Sequence, residues 1–138
     1  MFGGRLRYIA CGSAPISPKV IDFFKAVLSI PVLEGYGQTE ACGLETLQVS
    51  SDRVAGNVGG ILPSMELKLQ DVPEMEYFST DKDENGNDMP RGEICVRGNS
   101  VIPGYYKDEE KTLESIDGEK WLHSGDIVRF MIIFSKNN

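Results

Sequence analysis

A chain of 138 residues, 41% of them hydrophobic, can bury one modest core, so one domain or part of one is expected. Its net charge of −7 argues against a surface for a nucleic-acid backbone, which needs a basic face. A single nucleotide is still allowed, because local amides and a bound cation outweigh a distant net charge.

The first element in the chain is a short apolar run from Leu6 to Cys11, ended by Gly12, which reads as a buried strand. A helix should follow, with Ser17 as N-cap, Pro18 at the first helical position, and Val20, Phe24, Val27 and Leu28 on one apolar face. Pro31 disfavours helix at Ile30, and Val32-Leu33 opens a second strand running into Gly35. Strand, helix and strand make a βαβ unit, with parallel strands and a right-handed crossover. Ligands of such units bind beyond the carboxyl ends of the strands. Gly12-Ser13-Ala14-Pro15 leaves the first strand at that end and Gly35-Tyr36-Gly37 leaves the second, so two glycine-bearing loops should converge at one edge.

Glu34-Gly35-Tyr36-Gly37-Gln38-Thr39-Glu40 holds the densest chemistry. Its glycines permit close backbone approach, its ring offers a stacking face, its hydroxyl can bond a phosphate, and its carboxylate suits Mg²⁺. From the residues alone, a magnesium-nucleotide loop and a glycine-rich turn with an incidental tyrosine both stand. Neither GxGxxG nor GxxxxGK[ST] occurs, which disfavours a dehydrogenase or a P-loop ATPase. Thr39 to Leu47 allows a short helix.

From Gly56 the texture changes. Gly56 to Pro63 reads as a loop, Met65 to Leu69 as a half-exposed strand, Ile94-Cys95-Val96 as another, and Trp121-Leu122 as the entry to one more. Lys107 to Ile116 reads as a short helix or helical turn. Asp81-Lys82-Asp83-Glu84-Asn85-Gly86 imitates the start of an EF-hand calcium loop, but its twelfth position is Gly92 where a glutamate is required. A hairpin turn at Asn85-Gly86 fits better.

Cys11, Cys42 and Cys95 are widely spaced without a CxxC pair and read as reduced thiols of a cytosol-facing protein. The single histidine, His123, rules out a multi-histidine metal site. No signal-peptide pattern is present and no stretch approaches a membrane span, since Lys25 and Pro31 break the most apolar region.

Several ordered motifs, spread over about residues 3–128, carry a resemblance. Tyr36-Gly37-Gln38-Thr39-Glu40 resembles the signature of the acyl-adenylate-forming (AMP-binding) family. Gly4-Arg5-Leu6-Arg7-Tyr8, Gly12-Ser13-Ala14-Pro15, Asp71-Val72-Pro73-Glu74-Met75 and Gly104-Tyr105-Tyr106-Lys107-Asp108 narrow it to the eukaryotic-type long-chain fatty acid–CoA ligases. The resemblance implies an α/β fold: a βαβ parallel-sheet portion followed by a β-rich, distorted-barrel subdomain. Residues 1–55 would be the C-terminal part of the nucleotide-binding subdomain, 56–128 the β-rich subdomain, and 129–138 a divergent tail.

That family makes an acyl-adenylate from a fatty acid and MgATP, then passes the acyl group to coenzyme A. Carried over by position, Tyr36 would stack on adenine, with Gly12, Ser13, Ala14, Pro15, Glu34 and Gly35 forming the rest of that pocket and Gly37 and Gln38 completing the loop. Thr39 would bond the α-phosphate, Glu40 would hold Mg²⁺, and Asp126, in Trp121-Leu122-His123-Ser124-Gly125-Asp126, would accept both ribose hydroxyls. Without the motif, Asp126 reads as a turn cap and Glu40 as a charge on a helix's first turn.

The family's Ser/Thr/Gly-rich phosphate loop ending in lysine and its C-terminal lysine have no counterpart here, and the pattern departs after Val128. A fragment or truncated gene model is therefore expected. Two other readings compete with a piece of a ligase: a pseudo-enzyme that keeps an AMP pocket without turnover, and a calcium-binding module at residues 81–88. The resemblance places the protein in the cytoplasm or on the cytosolic face of the endoplasmic reticulum or another membrane, and allows membrane association of a longer protein.

Overall fold

The computed structural model describes residues 3–131. They form two compact units. One holds the chain up to Met65 together with Asn99–Ile102, and the other holds Glu66–Gly98 and the residues from Pro103 onward. Met1-Phe2 and the 132–138 part of the expected divergent tail lie outside the described residues.

The first unit opens with β1 (Ile9–Cys11), shorter than the Leu6–Cys11 run suggested. Helix α1 (Pro18–Leu28) follows, then β2 (Val32–Tyr36), which pairs in parallel with β1 through Ile9 with Val32 and Cys11 with Glu34. The βαβ unit is therefore present. Ser17 starts α1 through its backbone, its carbonyl accepting from the Val20 and Ile21 amides, while its side chain makes no capping bond. Ser29 ends it in the left-handed region at φ 53°, donating to the Lys25 carbonyl.

The expected apolar face of α1 does not form its buried side. Ile21 is fully buried, Lys25 and Leu28 partly so, while Val20, Phe23, Phe24 and Val27 are exposed. Residues 21, 25 and 28 stand at i, i+4 and i+7, one stripe of a helix. The sequence carries apolar residues on more than that stripe, so composition alone could not say which one packs.

The helix expected within Thr39–Leu47 is a single 3₁₀ turn, Thr39–Ala41. Cys42 (φ 58°) and Gly43 (φ 111°) both take positive φ and break it. The chain then turns back as β3 (Thr46–Leu47), antiparallel to β2, and β4 (Gly60–Ile61) pairs with β3. The sheet order is β1-β2-β3-β4, and its interior includes Ile21, Val32 and Ala41 beside four polar residues, Glu34, Glu45, Thr46 and Gln48.

The second unit is built on β5 (Met65–Gln70), β6 (Arg91–Gly98) and β7 (Leu122–Arg129), in that sheet order, with α2 (Glu109–Ser115) between β6 and β7. Its core is Ile94, Cys95, Val96, Trp121 and Leu122. The expected distorted barrel is corrected here: among the described residues the sheet is open, with β5 and β7 as its edges. A barrel closes only when its outer strands pair with one another or with further strands. Asp108 caps α2, its carboxylate accepting from the Lys111 amide. Trp121 lies under two cations, Arg97 at 4.4 Å and Lys68 at 4.8 Å from the ring centre.

Asn85-Gly86 sits in a turn closed by an antiparallel bridge between Lys82 and Asp88. Asp83 fastens it, its carboxylate accepting from the Asn85 and Asn87 amides at 2.8 and 2.9 Å. Gly86 takes φ +82°, as the turn requires. No helix among the described residues is long and apolar enough to cross a membrane.

Candidate nucleotide site

At the carboxyl end of the parallel pair, the two glycine loops meet. A methyl group on Gly12 would stand 3.1 Å from the carbonyl oxygen of Gly35, a tight contact that brings the two loop backbones side by side. Ser13, directly after, adopts φ +69°, an uncommon conformation for a non-glycine residue. Gly12, Ser13, Ala14 and Pro15 are all exposed, which leaves their backbone accessible at this edge.

Gly35 and Gly37 are required by packing. A Cβ on Gly35 would meet the Thr46 carbonyl at 2.8 Å, and one on Gly37 would overlap the Gly43 carbonyl. Between them Tyr36 is half-buried, its amide donating to Thr46 Oγ1 at 3.3 Å. Gln38 donates from Nε2 to Glu45 Oε1 at 3.0 Å. Thr39 is exposed and Glu40 half-buried at the start of the 3₁₀ turn, whose Glu40 carbonyl accepts from the Ile102 amide at 2.8 Å. One carboxylate is a fitting donor set for Mg²⁺, which keeps several waters and takes most other ligands from substrate phosphates.

Glu34 is buried, and its carboxylate is engaged within the unit. Oε2 accepts from the Gly56 amide at 2.8 Å, while the Glu34 backbone exchanges bonds with Gln48, receiving its amide and donating to its Oε1. Gln48 Nε2 donates to the Val54 carbonyl and Thr46 Oγ1 to the Val58 carbonyl. These inward polar side chains tie the 54–58 segment to β2 and β3, and so hold the Tyr36 loop in shape. Sequence reading missed Thr46 and Gln48, because alternating polar residues look solvent-facing when the face they line is itself polar.

Asp126 lies in β7 and is exposed. Glu93 pairs with Ile127 and Cys95 with His123, so Ile94 alone opposes Ser124, Gly125 and Asp126. The strand bulges outward there. Glu93 Oε1 accepts from the Gly125 amide at 2.8 Å, and the Asp126 amide donates to Ser124 Oγ at 3.0 Å. The glycine inside an otherwise strand-like run was the available signal, since an isolated strand glycine often marks a bulge.

Behind the bulge, Glu93, Cys95 and His123 bring their ligating atoms within 4.8 Å of one another. His123 Nδ1 is 3.1 Å from Glu93 Oε2 and 3.4 Å from Cys95 Sγ, and Nε2 is 3.4 Å from Asp117 Oδ2. Burial, followed by the nearby Glu93 charge, pushes the Cys95 thiol up to about 11. With these contacts alone the thiol keeps its proton at neutral pH.

The first unit is thus an α/β unit with a parallel βαβ edge, two converging glycine loops and an aromatic–hydroxyl–carboxylate sequence, an arrangement suited to a nucleotide. Residues 1–106 match the AMP-binding enzyme family, and the chain belongs to it. It is 48% identical over 125 residues to the peroxisomal long chain acyl-CoA synthetase 7 of Arabidopsis thaliana, a match covering 91% of this chain. It is 47% identical over 128 residues to fatty acyl-CoA synthetase A of Dictyostelium discoideum, covering 93%. The chain spans only 17% and 18% of those relatives. Among solved structures, the A domain of a carboxylic acid reductase from Segniliparus rugosus, in complex with AMP and a co-purified carboxylic acid, superposes with a TM-score of 0.74. That match is 36% identical and covers 94% of this chain and 18% of the other.

Proposed function

We propose that this chain is the nucleotide-holding part of an ATP-dependent long-chain fatty acid–CoA ligase. The observation that carries the reading is the close approach of Gly12 to Gly35 directly before Tyr36-Gly37-Gln38-Thr39-Glu40. Tyr36 stacks on adenine, with Gly12 to Pro15 and Glu34-Gly35 shaping the pocket largely through backbone and Gly37 and Gln38 completing its loop. Thr39 donates to the α-phosphate, and Asp126 accepts both ribose hydroxyls, a task for which a carboxylate has enough acceptor sites. Glu40 would hold Mg²⁺, which when bound neutralises charge on the phosphoryl oxygens. The fatty acid and coenzyme A complete the substrate set. Their placement is expected to involve residues outside this chain.

The test is Asp126→Ala in a complete enzyme, made by grafting this chain in place of the matching 125-residue stretch of the Arabidopsis relative. Loss of a charged acceptor removes about 1.5–3 kcal/mol per bond, tenfold or more in binding. Because ribose is held alike before and after the chemistry, the loss falls on KM for ATP, with kcat little changed. An unchanged KM for ATP in a folded variant overturns the assignment.

A further inference from the structure

We infer that Glu93 is a positioning residue for Asp126: with the Ser124 hydroxyl, it locks the β7 bulge so that Asp126 meets the ribose in one preset orientation. The inference rests on the proposed ribose contact of Asp126. It concerns a residue that neither touches the nucleotide in that reading nor belongs to the loop around Tyr36.

One residue of β6 faces three of β7 in this bulge, so the ladder cannot satisfy every backbone group between His123 and Ile127. Side chains take over. Glu93 Oε1 accepts from the Gly125 amide at 2.8 Å. The Ser124 hydroxyl donates to the Ile94 carbonyl at 2.7 Å and accepts from the Asp126 amide at 3.0 Å. Gly125 takes φ +75°, a conformation that a side chain would strain. The residue immediately before Asp126 and the amide of Asp126 itself are thus both pinned.

Glu93 is in turn held. Its side chain is only 18% exposed, its second oxygen meets His123 Nδ1, and His123 Nε2 meets Asp117. Asp117 is anchored by the Glu119 and Trp121 amides, each at 2.9 Å. Close polar contacts therefore link the Asp117 turn through His123 and Glu93 to the backbone beside Asp126. A carboxylate fixed at both oxygens is a rigid support, whereas an ordinary strand pair at this point would leave Asp126 in the pleat.

The experiment is a double-mutant cycle on KM for ATP in the grafted enzyme, using Glu93→Ala, Glu93→Gln and Asp126→Ala. Glutamine keeps an oxygen for the Gly125 amide, so Glu93→Gln should stay within about threefold of the parent, while Glu93→Ala should raise KM about tenfold with kcat little changed. In the Asp126→Ala background, Glu93→Ala should add less than about twofold, since the group it positions is gone. Should Glu93→Ala not fold, Ser124→Ala replaces it, with a smaller rise in KM that again vanishes in the Asp126→Ala background. If Asp126→Ala raises KM but Glu93→Ala does not, or if their effects multiply, the positioning role is overturned while the ribose contact stands. If Asp126→Ala itself is silent, the ribose reading falls, and this inference with it.

Discussion

The backbone of Gly37 runs so close to Gly43 that a methyl group on Gly37 would overlap the Gly43 carbonyl and stand 2.9 Å from the Leu44 Cα. The obstacle is backbone on both counts, so no side chain can swing away to relieve it. Tyr36 and Thr39 flank this contact, and the shape of the loop depends on it.

Gly37→Ala should therefore destabilise the chain by about 1–3 kcal/mol, the usual range for forced overpacking. Gly60→Ala is the matched control, because a Cβ there meets nothing within 4 Å. It should change stability by no more than about 0.5 kcal/mol. Urea unfolding of the two variants beside the parent checks this, and equal midpoints for both would refute the packing account.

Glu40→Gln in the grafted enzyme separates a metal ligand from a helix-turn charge. Glutamine keeps the shape but loses the charge that makes a carboxylate a strong Mg²⁺ ligand. If Glu40 serves the metal, pyrophosphate exchange should slow by roughly 10²–10³ and need more Mg²⁺. Parental exchange rates over a Mg²⁺ titration would leave Glu40 only its place at the start of the 3₁₀ turn.

Acid should weaken the second unit below the ordinary carboxylate range. The Trp121 amide is the largest cause holding the Asp117 carboxyl below its usual value, and the Phe78 amide and Asn87 side chain do the same for Asp81 and Asp83. A carboxyl lowered in the folded state releases its proton more readily there than in the unfolded chain. Its contribution is thus fully present above an unfolded pKa of about 3.9 and is lost as pH falls through the lower, folded value. Asp117→Asn should flatten the fall in urea midpoint below about pH 4, and an unchanged slope would contradict this origin.

The thiols should react in a fixed order. Cys42 is exposed, while Cys95 is fully buried and its thiol is pushed up to about 11. Thiolate, the reactive form, is therefore scarce at Cys95 at neutral pH. Iodoacetamide at pH 7.5 should label Cys42 first and reach Cys95 only on unfolding. Peptide mass spectrometry showing early labelling of Cys95 would overturn its placement.

The local order of elements was legible in the chain itself. Pro18 after Ser17, Pro31 after Ile30, and the apolar runs ending at Gly12 and Gly35 mark the βαβ unit, because proline and glycine act through the backbone of their own neighbourhood. Those same glycines announced two loops at one sheet edge, and the motif around Tyr36 identified the family before any coordinates. Tertiary structure alone decided which stripe of α1 is buried, since Val20, Phe24 and Val27 are as apolar as Ile21 and only the sheet beneath selects among them. It also limited helix in Thr39–Leu47 to the Thr39–Ala41 turn and ended the stretch as the strand Thr46–Leu47, because pairing of Thr46 and Leu47 with β2 outweighs weak local helix preference. Gly125 inside a strand-like run hinted at a bulge, but its partner was decided by the register between β6 and β7, which sets Ile94 against Ser124, Gly125 and Asp126 across about thirty positions of sequence.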